Sequence, residues 1–193
     1  MLLARDFVAY LSRQVVRSLT PLLDTSTPDA LVEVTTNLIT DELEVEDKLN
    51  EEVRDLLDQY SDYMREQGVS YSEMFRKIKS QLVAKNKIVR ASGRESGDQM
   101  KLSRDKITDI SHKLIPQWKK NVRGLRFKRD PNDIRLEIVR AITGALQTED
   151  KADRAARDKV RTLKRGVAEG SEEFDLLHQR YYAEELKRYG IDV

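Results

Sequence analysis

The chain contains no cysteine among its 193 residues. This absence excludes disulfide bonds, iron–sulfur clusters, thiolate zinc sites and cysteine nucleophiles. Long hydrophobic runs are also missing, because no stretch approaches the roughly 18 apolar residues of a membrane-spanning helix. The chain reaches charge at once, at Arg5 and Asp6, so its start lacks the apolar core of a signal peptide. We therefore expect a cytoplasmic protein that does not engage a membrane.

The motifs of several enzyme classes are missing as well. The sequence has no glycine-rich phosphate loop, no Gly-x-Ser-x-Gly nucleophile turn and no His-Glu-x-x-His zinc motif. Its two histidines end the segments Asp109-Ile110-Ser111-His112 and Asp175-Leu176-Leu177-His178. Residues three apart share a helix face, so a metal-dependent helical enzyme using His112 and His178 is one hypothesis. Solvated Asp–His pairs are the simpler interpretation, and we predict no catalytic site, no cofactor and no metal.

What the sequence does contain is hydrophobic spacing typical of helices. One apolar helix face, with a repeat of four residues, comprises Phe7, Leu11, Val15 and Leu19. Two later helices have start signals, because Thr27-Pro28 and Asp130-Pro131 each combine a capping residue with proline at the first helical position. No alternating β-branched run is long enough to predict a strand. The sequence therefore predicts an all-α fold with six main helices.

Other signals concern the later helices. Ser70 with Glu73 matches a capping box, and Gly170-Ser171 combines a helix stop with a cap. A potential break in each long helix is marked by Glu46-Asp47 and Glu149-Asp150. Heptad spacing predicts a coiled-coil-like seam at Leu49, Val53, Leu56, Tyr60 and Tyr63. The corresponding residues of the second half are Ala152, Ala156, Val160, Leu163 and Val167.

Several segments recur at a nearly constant offset, which indicates an internal duplication. Glu46-Asp47-Lys48 returns as Glu149-Asp150-Lys151, and Arg54-Asp55 returns as Arg157-Asp158, both 103 residues later. Near the start of the chain, Leu3 corresponds to Leu102 at an offset of 99. We predict two related three-helix units, residues 1–90 and 101–193. The sequence does not determine whether the two units form an elongated or a compact molecule. Residues 91–100, which contain Gly and Ser, are predicted to be a flexible linker.

The second half carries a resemblance to a known family. The run from Leu163 to Asp175, which includes Gly170-Ser171, resembles the domain-of-unknown-function family 507, as do Tyr181-Tyr182 and the first-half segment Met74-Phe75. The resemblance covers nearly the whole chain. Phe174 and His178 stand where the family would be expected to have Trp and Tyr, so a flat ring is kept at both positions. The resemblance implies a bacterial protein with a helical fold of two related halves, and it implies no established reaction.

The near-neutral net charge of +1 conceals a separation along the chain. Residues 1–95 carry a net charge of −4, and residues 96–193 carry +5. Acidic residues are concentrated in 41–66, which holds 11 acids against 3 bases. Two basic stretches lie in the second half, 113–129 and 151–165. The first contains no acid, and its cations are Lys113, Lys119, Lys120, Arg123, Arg126, Lys128 and Arg129.

These seven cations are the candidate contacts to a partner or to nucleic acid, because a cluster without acids is suited to phosphates. Ordinary solvation of a helix end is the alternative for the cations. Trp118 and Phe127 lie in the same run and are candidates for base stacking. For Trp118 the helical spacing with Ile107 and Leu114 favours a place in the core instead.

Two functional hypotheses follow from charge and repeats together. The preferred hypothesis is a non-enzymatic helical interaction or adaptor protein, whose acidic 41–66 region meets a basic partner or the basic half of the protein itself. A protein partner or self-association is thus expected. The alternative is a nucleic-acid-associated protein that uses the 113–129 segment.

Overall fold

The computed structural model describes residues 3–91, 100–163 and 166–191. Within these residues the prediction of an all-α fold is confirmed, with seven α-helices and one pair of very short strands. The helices are α1 (Arg5–Leu19), α2 (Pro28–Gln59), α3 (Ser61–Glu66), α4 (Tyr71–Lys85), α5 (Arg104–Asn121), α6 (Pro131–Arg161) and α7 (Glu172–Arg188). The strands, β1 (Leu23–Asp24) and β2 (Arg126–Phe127), pair in antiparallel orientation. None of the described helices is long and apolar enough to cross a membrane.

The helix starts mostly follow the sequence signals. Pro28 and Pro131 occupy the first positions of α2 and α6, where a missing N–H leaves no hydrogen bond unmade. The Asp130 carboxylate accepts the Asn132 N–H at 2.8 Å, and Ser171 caps α7 after Gly170, whose φ of 87° suits glycine. Thr27 lies at the N-cap of α2, but its side chain makes no capping hydrogen bond. The predicted capping box of α4 is wrong, because the Ser70 side chain caps no backbone N–H and its Oγ lies 3.0 Å from the hydroxyl of Ser72.

The potential breaks in the long helices are absent, since α2 and α6 run through both sites without interruption. The acids at these sites serve tertiary contacts instead. The Glu46 carboxylate accepts the backbone N–H of Ala91. The Glu149 side chain is buried and accepts hydrogen bonds from Lys101 and from the Tyr182 hydroxyl. Glutamate is also a good helix former, so neither site contains a residue that stops a helix.

One hydrophobic core is shared by the two halves of the sequence. Helix α1 packs against α2 and α6, and α5 packs against the same two helices. The predicted apolar face of α1 is confirmed, because Phe7, Leu11, Val15 and Leu19 are all fully buried. Burial of each such side chain stabilises the fold by about 1.5–3 kcal/mol. Most of the predicted linker, 92–99, lies outside the described residues, while Ala91 at its edge is buried in this core.

Beyond the core, each long helix continues into a smaller helical arm. The last turns of α2 pack with α3 and α4 through buried Val53, Leu57 and Met64. The predicted seam is confirmed at Leu49 and Val53 but is wrong at the two tyrosines, which are 59% (Tyr60) and 62% (Tyr63) exposed. Because α2 ends at Gln59 and α3 begins a new axis, the heptad phase does not continue. The seam predicted for the second half is confirmed at Ala152, Ala156 and Val160, which are buried on α6. Helix α6 ends at Arg161, so Leu163 lies beyond it.

The two halves share a series of elements: a helix, a two-residue strand, a long helix that starts with proline, and a later helix. Among the described residues, the first half has in addition a 3-10 turn (Thr20–Leu22) before its strand and the short α3 before α4. The duplication predicts the shared order, although the duplication itself stays a prediction. Trp118 confirms its predicted place in the core, being fully buried on α5. Its indole N–H donates to Thr35 Oγ1 on α2 at 2.9 Å, and the Thr35 hydroxyl donates to the Leu31 carbonyl oxygen at 2.6 Å.

Replacing Thr35 by Val should leave the Trp118 N–H buried without an acceptor. We expect the free energy of unfolding to fall by about 1–3 kcal/mol. Urea unfolding followed by the fluorescence of the single tryptophan measures this change. Thr36→Val is the matched control, because the Thr36 hydroxyl donates to the Val32 carbonyl oxygen at 2.9 Å on the same helix. The control should change stability by less than about 0.5 kcal/mol, and equal losses in both variants would contradict the assignment.

Candidate interaction surfaces

Five of the seven candidate cations lie together at one end of the molecule. Lys120 is near the end of α5, Arg126 is on β2, and the others lie in the connections around that strand. All five are exposed. This surface, called the basic end below, consists of Lys120, Arg123, Arg126, Lys128 and Arg129. Among the described residues, none of the five takes part in an ion pair, so their charges are available to a partner.

A buried side chain, a glycine turn and the pairing of β1 with β2 fix the backbone of the basic end. Val122 is buried just after α5, and Gly124, with φ of 72°, turns the chain towards β2. The Lys128 N–H donates to the Leu22 carbonyl oxygen at 2.9 Å, which continues the pairing of β1 with β2. The exposed Lys119 places its Nζ 5.3 Å from the centre of the Phe127 ring. Buried Trp118 is unavailable for base stacking, which leaves Phe127 as the half-buried aromatic of this surface.

Lys113 lies apart from the basic end, within an ion-pair network between α2 and α5. Its Nζ is 2.8 Å from Glu42 Oε1 and 2.8 Å from Asp109 Oδ2. Lys106, which is 1% exposed, places its Nζ 2.7 Å from Glu42 Oε2. Burial alone would raise the pKa of Glu42, but hydrogen bonds from the two lysines outweigh it and hold that pKa below its ordinary value. Lys113 therefore helps to hold α5 on α2.

The second basic stretch, 151–165, is largely neutralised by nearby acids. Arg154 contacts Asp150 at 2.8 Å, and Arg157 contacts Asp153 at 2.9 Å. The Lys159 Nζ lies 2.5 Å from Glu185 Oε1 on α7, and Arg161 contacts Glu169 at 3.0 Å. Lys164 and Arg165 lie outside the described residues. The two stretches, 113–129 and 151–165, hold seven cations each. They differ in that several cations of 151–165 are in ion pairs, whereas those of the basic end are not.

An acidic surface with exposed aromatic rings lies at the far end of α2. Glu51, Asp55 and Asp58 are spaced to share one helix face, opposite the buried Val53 and Leu57. All three carboxylates are exposed, and within the described part of the chain none is in an ion pair. The exposed tyrosines of α3 and its N-cap follow at once. This end of α2 and the turn into α3, called the acidic tip below, carry Glu51, Asp55, Asp58, Tyr60 and Tyr63.

The two charged surfaces lie at opposite ends of α2. The basic end adjoins the start of this helix, because β2 pairs with β1 and β1 precedes Pro28 by a short loop. Asp58 lies 30 residues further along the same unbroken helix. At a rise of 1.5 Å per residue, the acids of the tip, from Glu51 to Asp58, lie about 35–45 Å along the axis from the start of α2. This distance is several times the range of Coulomb interactions at physiological salt, so neither surface neutralises the other within one molecule.

The two histidines take partners other than those expected from their spacing. His112 Nε2 lies 3.1 Å from Arg135 Nη1, while the nearby Asp109 contacts Lys113. His178 Nε2 lies 3.0 Å from Asp153 Oδ1 on α6, at an angle unsuited to a hydrogen bond. The described residues contain no group of three or more acids and histidines arranged to hold a metal ion.

A buried polar cluster between α6 and α7 escaped the sequence analysis. The Tyr182 hydroxyl donates to Glu149 Oε1 at 2.5 Å, and Lys101 Nζ lies 5.3 Å from the centre of the Tyr182 ring. Burial raises the pKa of Tyr182, and the hydrogen bond to Glu149 raises it further. The rings of Phe174, His178 and Tyr182 stack in succession with centroids 6.2 Å and 5.9 Å apart. A spacing of four residues between these rings on α7 is the signal that would have predicted the stack.

Replacing Glu42 by Gln should leave the buried Lys106 without its main counter-charge. We expect a loss of about 3 kcal/mol in the free energy of unfolding at about pH 7. Because folding lowers the pKa of Glu42, its contribution is present above the pKa of the unfolded chain and disappears as the pH falls through the lower folded value. The stability gap between wild type and variant should therefore narrow at about pH 3.

Unfolding in urea at the two pH values measures this gap. Glu33→Gln, at an exposed position on the same helix, is the control and should show little gap at either pH. A gap for Glu42→Gln that stays constant with pH would show that the carboxylate charge is not what stabilises the α2–α5 contact.

Comparison with known proteins adds the family. No curated protein matches the chain. A family model described as "Protein of unknown function (DUF507)" matches residues 1–191, which is nearly the full length. This match confirms the resemblance carried by the Gly170-Ser171 segment and the paired tyrosines. The chain therefore belongs to the DUF507 family.

Proposed function

We propose that this protein is a non-enzymatic interaction protein whose two ends bind partners of opposite charge. One observation carries the proposal: the charged side chains of the acidic tip and the basic end are exposed, lack ion-pair partners among the described residues, and lie about 35–45 Å apart along α2. Both surfaces therefore present charges that no described residue pairs, so they are open to a partner of opposite charge.

Repulsion within each surface supports this proposal. Like charges spaced three or four residues apart on a helix disfavour that helix, as Glu51, Asp55 and Asp58 do in α2. On α6, by contrast, the cations Arg154, Arg157 and Lys159 are in ion pairs. A basic partner would relieve the repulsion at the acidic tip. The exposed Tyr60 and Tyr63 add the aromatic area that is enriched among the residues dominating protein interfaces.

The buried polar groups support a structural rather than a catalytic role. The pair of Lys106 with Glu42 joins α5 to α2. The hydrogen bond of Tyr182 to Glu149 joins α7 to α6. Both contacts join one helix to another, which supports a structural role for these buried polar groups and not a catalytic one.

Neutralising the acidic tip should remove the partners that it holds. We expect the triple variant Glu51→Gln, Asp55→Asn, Asp58→Asn to lose at least tenfold in the recovery of proteins that the immobilised wild type retains from native lysate at low salt. Such electrostatic partners should also elute from the wild type as the salt rises and the Debye length falls from about 10 Å to about 3 Å. Quantitative mass spectrometry of the eluted fractions is the measurement.

The matched control neutralises three exposed acids on the same helix, in Asp29→Asn, Glu33→Gln, Asp41→Asn. This control should retain the same proteins as wild type. If the tip variant and the control retain identical sets, the acidic tip is not an interaction surface and the proposal fails there.

Nucleic acid is a second candidate partner, favoured by the basic end. Five cations that make no ion pair within the described residues flank the half-buried Phe127 in the chain, although Asp24 is the cross-strand neighbour of Arg126. Phosphate contacts release counterions, so they produce a steep dependence of affinity on salt. An aromatic ring beside them would add stacking with an unpaired base.

Removing charge from the basic end should then weaken nucleic-acid binding. The probe is a labelled 30-nucleotide single strand or duplex. For the variant Lys120→Gln, Arg123→Gln, Arg126→Gln, log affinity should fall less steeply with log salt, with the magnitude of the slope reduced by about 2–3. Fluorescence anisotropy measures the affinity. The control Lys77→Gln, Lys85→Gln, Lys187→Gln removes three exposed cations elsewhere and should leave the slope unchanged. If the wild type fails to bind either probe at low salt, nucleic acid is eliminated as a partner.

A further inference from the structure

We propose that the acidic tip of one molecule binds the basic end of a second copy, so that the protein associates head to tail. This inference rests on the proposed function and names the occupant of both surfaces. A second copy of the chain necessarily carries the complementary surface, and it is present at the same concentration and in the same compartment.

Chemical complementarity is the first support. The acidic tip presents three carboxylates and two exposed tyrosine rings within 13 residues of chain. The basic end presents three arginines, Arg123, Arg126 and Arg129, together with two lysines. The planar guanidinium group binds carboxylates through paired hydrogen bonds and also stacks on aromatic faces. Arginine is thus the cation best suited to a region that carries both carboxylates and tyrosine rings.

Geometry is the second support. Because the two surfaces lie at opposite ends of an unbroken helix, they cannot meet within one molecule. They meet only between molecules, and one contact leaves a free acidic tip at one end and a free basic end at the other. An interface between two different surfaces is heterologous, and it produces open chains unless the rotation between copies closes a ring. The net charge of +1 leaves no strong overall repulsion between copies.

Sedimentation of the purified full-length chain tests the association without any other partner. At about 50 mM salt the weight-average mass should rise above the 22.4 kDa of a single chain as the protein concentration increases. At about 1 M salt, where charges more than about 3 Å apart are screened, the mass should return to that of the single chain. A wild type that stays at 22.4 kDa at every concentration and at low salt would overturn the inference.

Mixing two variants distinguishes head-to-tail contact from other kinds of association. The tip variant (Glu51→Gln, Asp55→Asn, Asp58→Asn) keeps a working basic end, and the basic-end variant (Lys120→Gln, Arg123→Gln, Arg126→Gln) keeps a working acidic tip. Each should sediment as a single chain by itself. An equal mixture should form a dimer of one tip variant and one basic-end variant, and nothing larger.

The dimer in the mixture also shows that both variants are folded, because each must supply an intact surface. A further variant that keeps the charge, Glu51→Asp, Asp55→Glu, Asp58→Glu, is the control and should associate as wild type does. A tip variant that still associates alone would overturn the inference, since it would indicate an interface elsewhere. A mixture that remains entirely at the mass of single chains would overturn it as well.

The result also separates this inference from the proposed function. If the purified chain remains a single chain while capture from lysate still depends on the acidic tip, the partner is another protein, the proposed function stands and head-to-tail association is wrong. If association of the purified chain depends on both surfaces, the inference is supported whether or not other proteins are captured.

Discussion

Helix α5 packs against α2 across the middle of the molecule, and the arrangement of everything else depends on this contact. The buried hydrogen bond from Trp118 to Thr35 lies towards one end of it, and the ion pair of Lys106 with Glu42 lies towards the other. Because α2 belongs to the first half of the sequence and α5 to the second, the contact brings the halves into a single core. It also places the basic end, which follows α5, beside the start of α2.

The contact between α1 and α6, which the predicted duplication would make the counterpart of the α5–α2 contact, is built differently. The offsets of 99 and 103 match Trp118 and Thr35 to Leu19 and Ile138, both fully buried. They likewise match Lys106 and Glu42 to Phe7 and Ala145, which are also buried. One side of the core is therefore apolar where the other is polar and charged. Buried polar pairs are stable only when every polar group has a hydrogen-bond or ion-pair partner. The polar contacts between α2 and α5 therefore fix the position of one helix along the other more strictly than the apolar contacts between α1 and α6 do.

Local signals predicted much of the fold, because they act within a few residues. The prolines at the starts of α2 and α6 and the apolar face of α1 are of this kind. The seam was wrong beyond Gln59, since a chain that turns into a new helix loses its heptad phase. The site was harder still. Lys113 lies in the same basic stretch as the other cations, and its pairing with Asp109 is the only local difference. Its second partner, Glu42, is 71 residues away, and local sequence does not reveal it.

An unbroken α2 makes the number of its residues a constraint separate from their identity. Each residue added between the core and the acidic tip would advance the tip by about 1.5 Å and rotate it by about 100° around the helix axis. One inserted residue would therefore turn the carboxylates of the tip, together with the α4 helix packed on this part of α2, to a different direction relative to the core. Insertions of about seven residues, close to two full turns, would nearly restore the direction while lengthening the molecule by about 10 Å. Variation in the length of this helix should accordingly occur in whole turns.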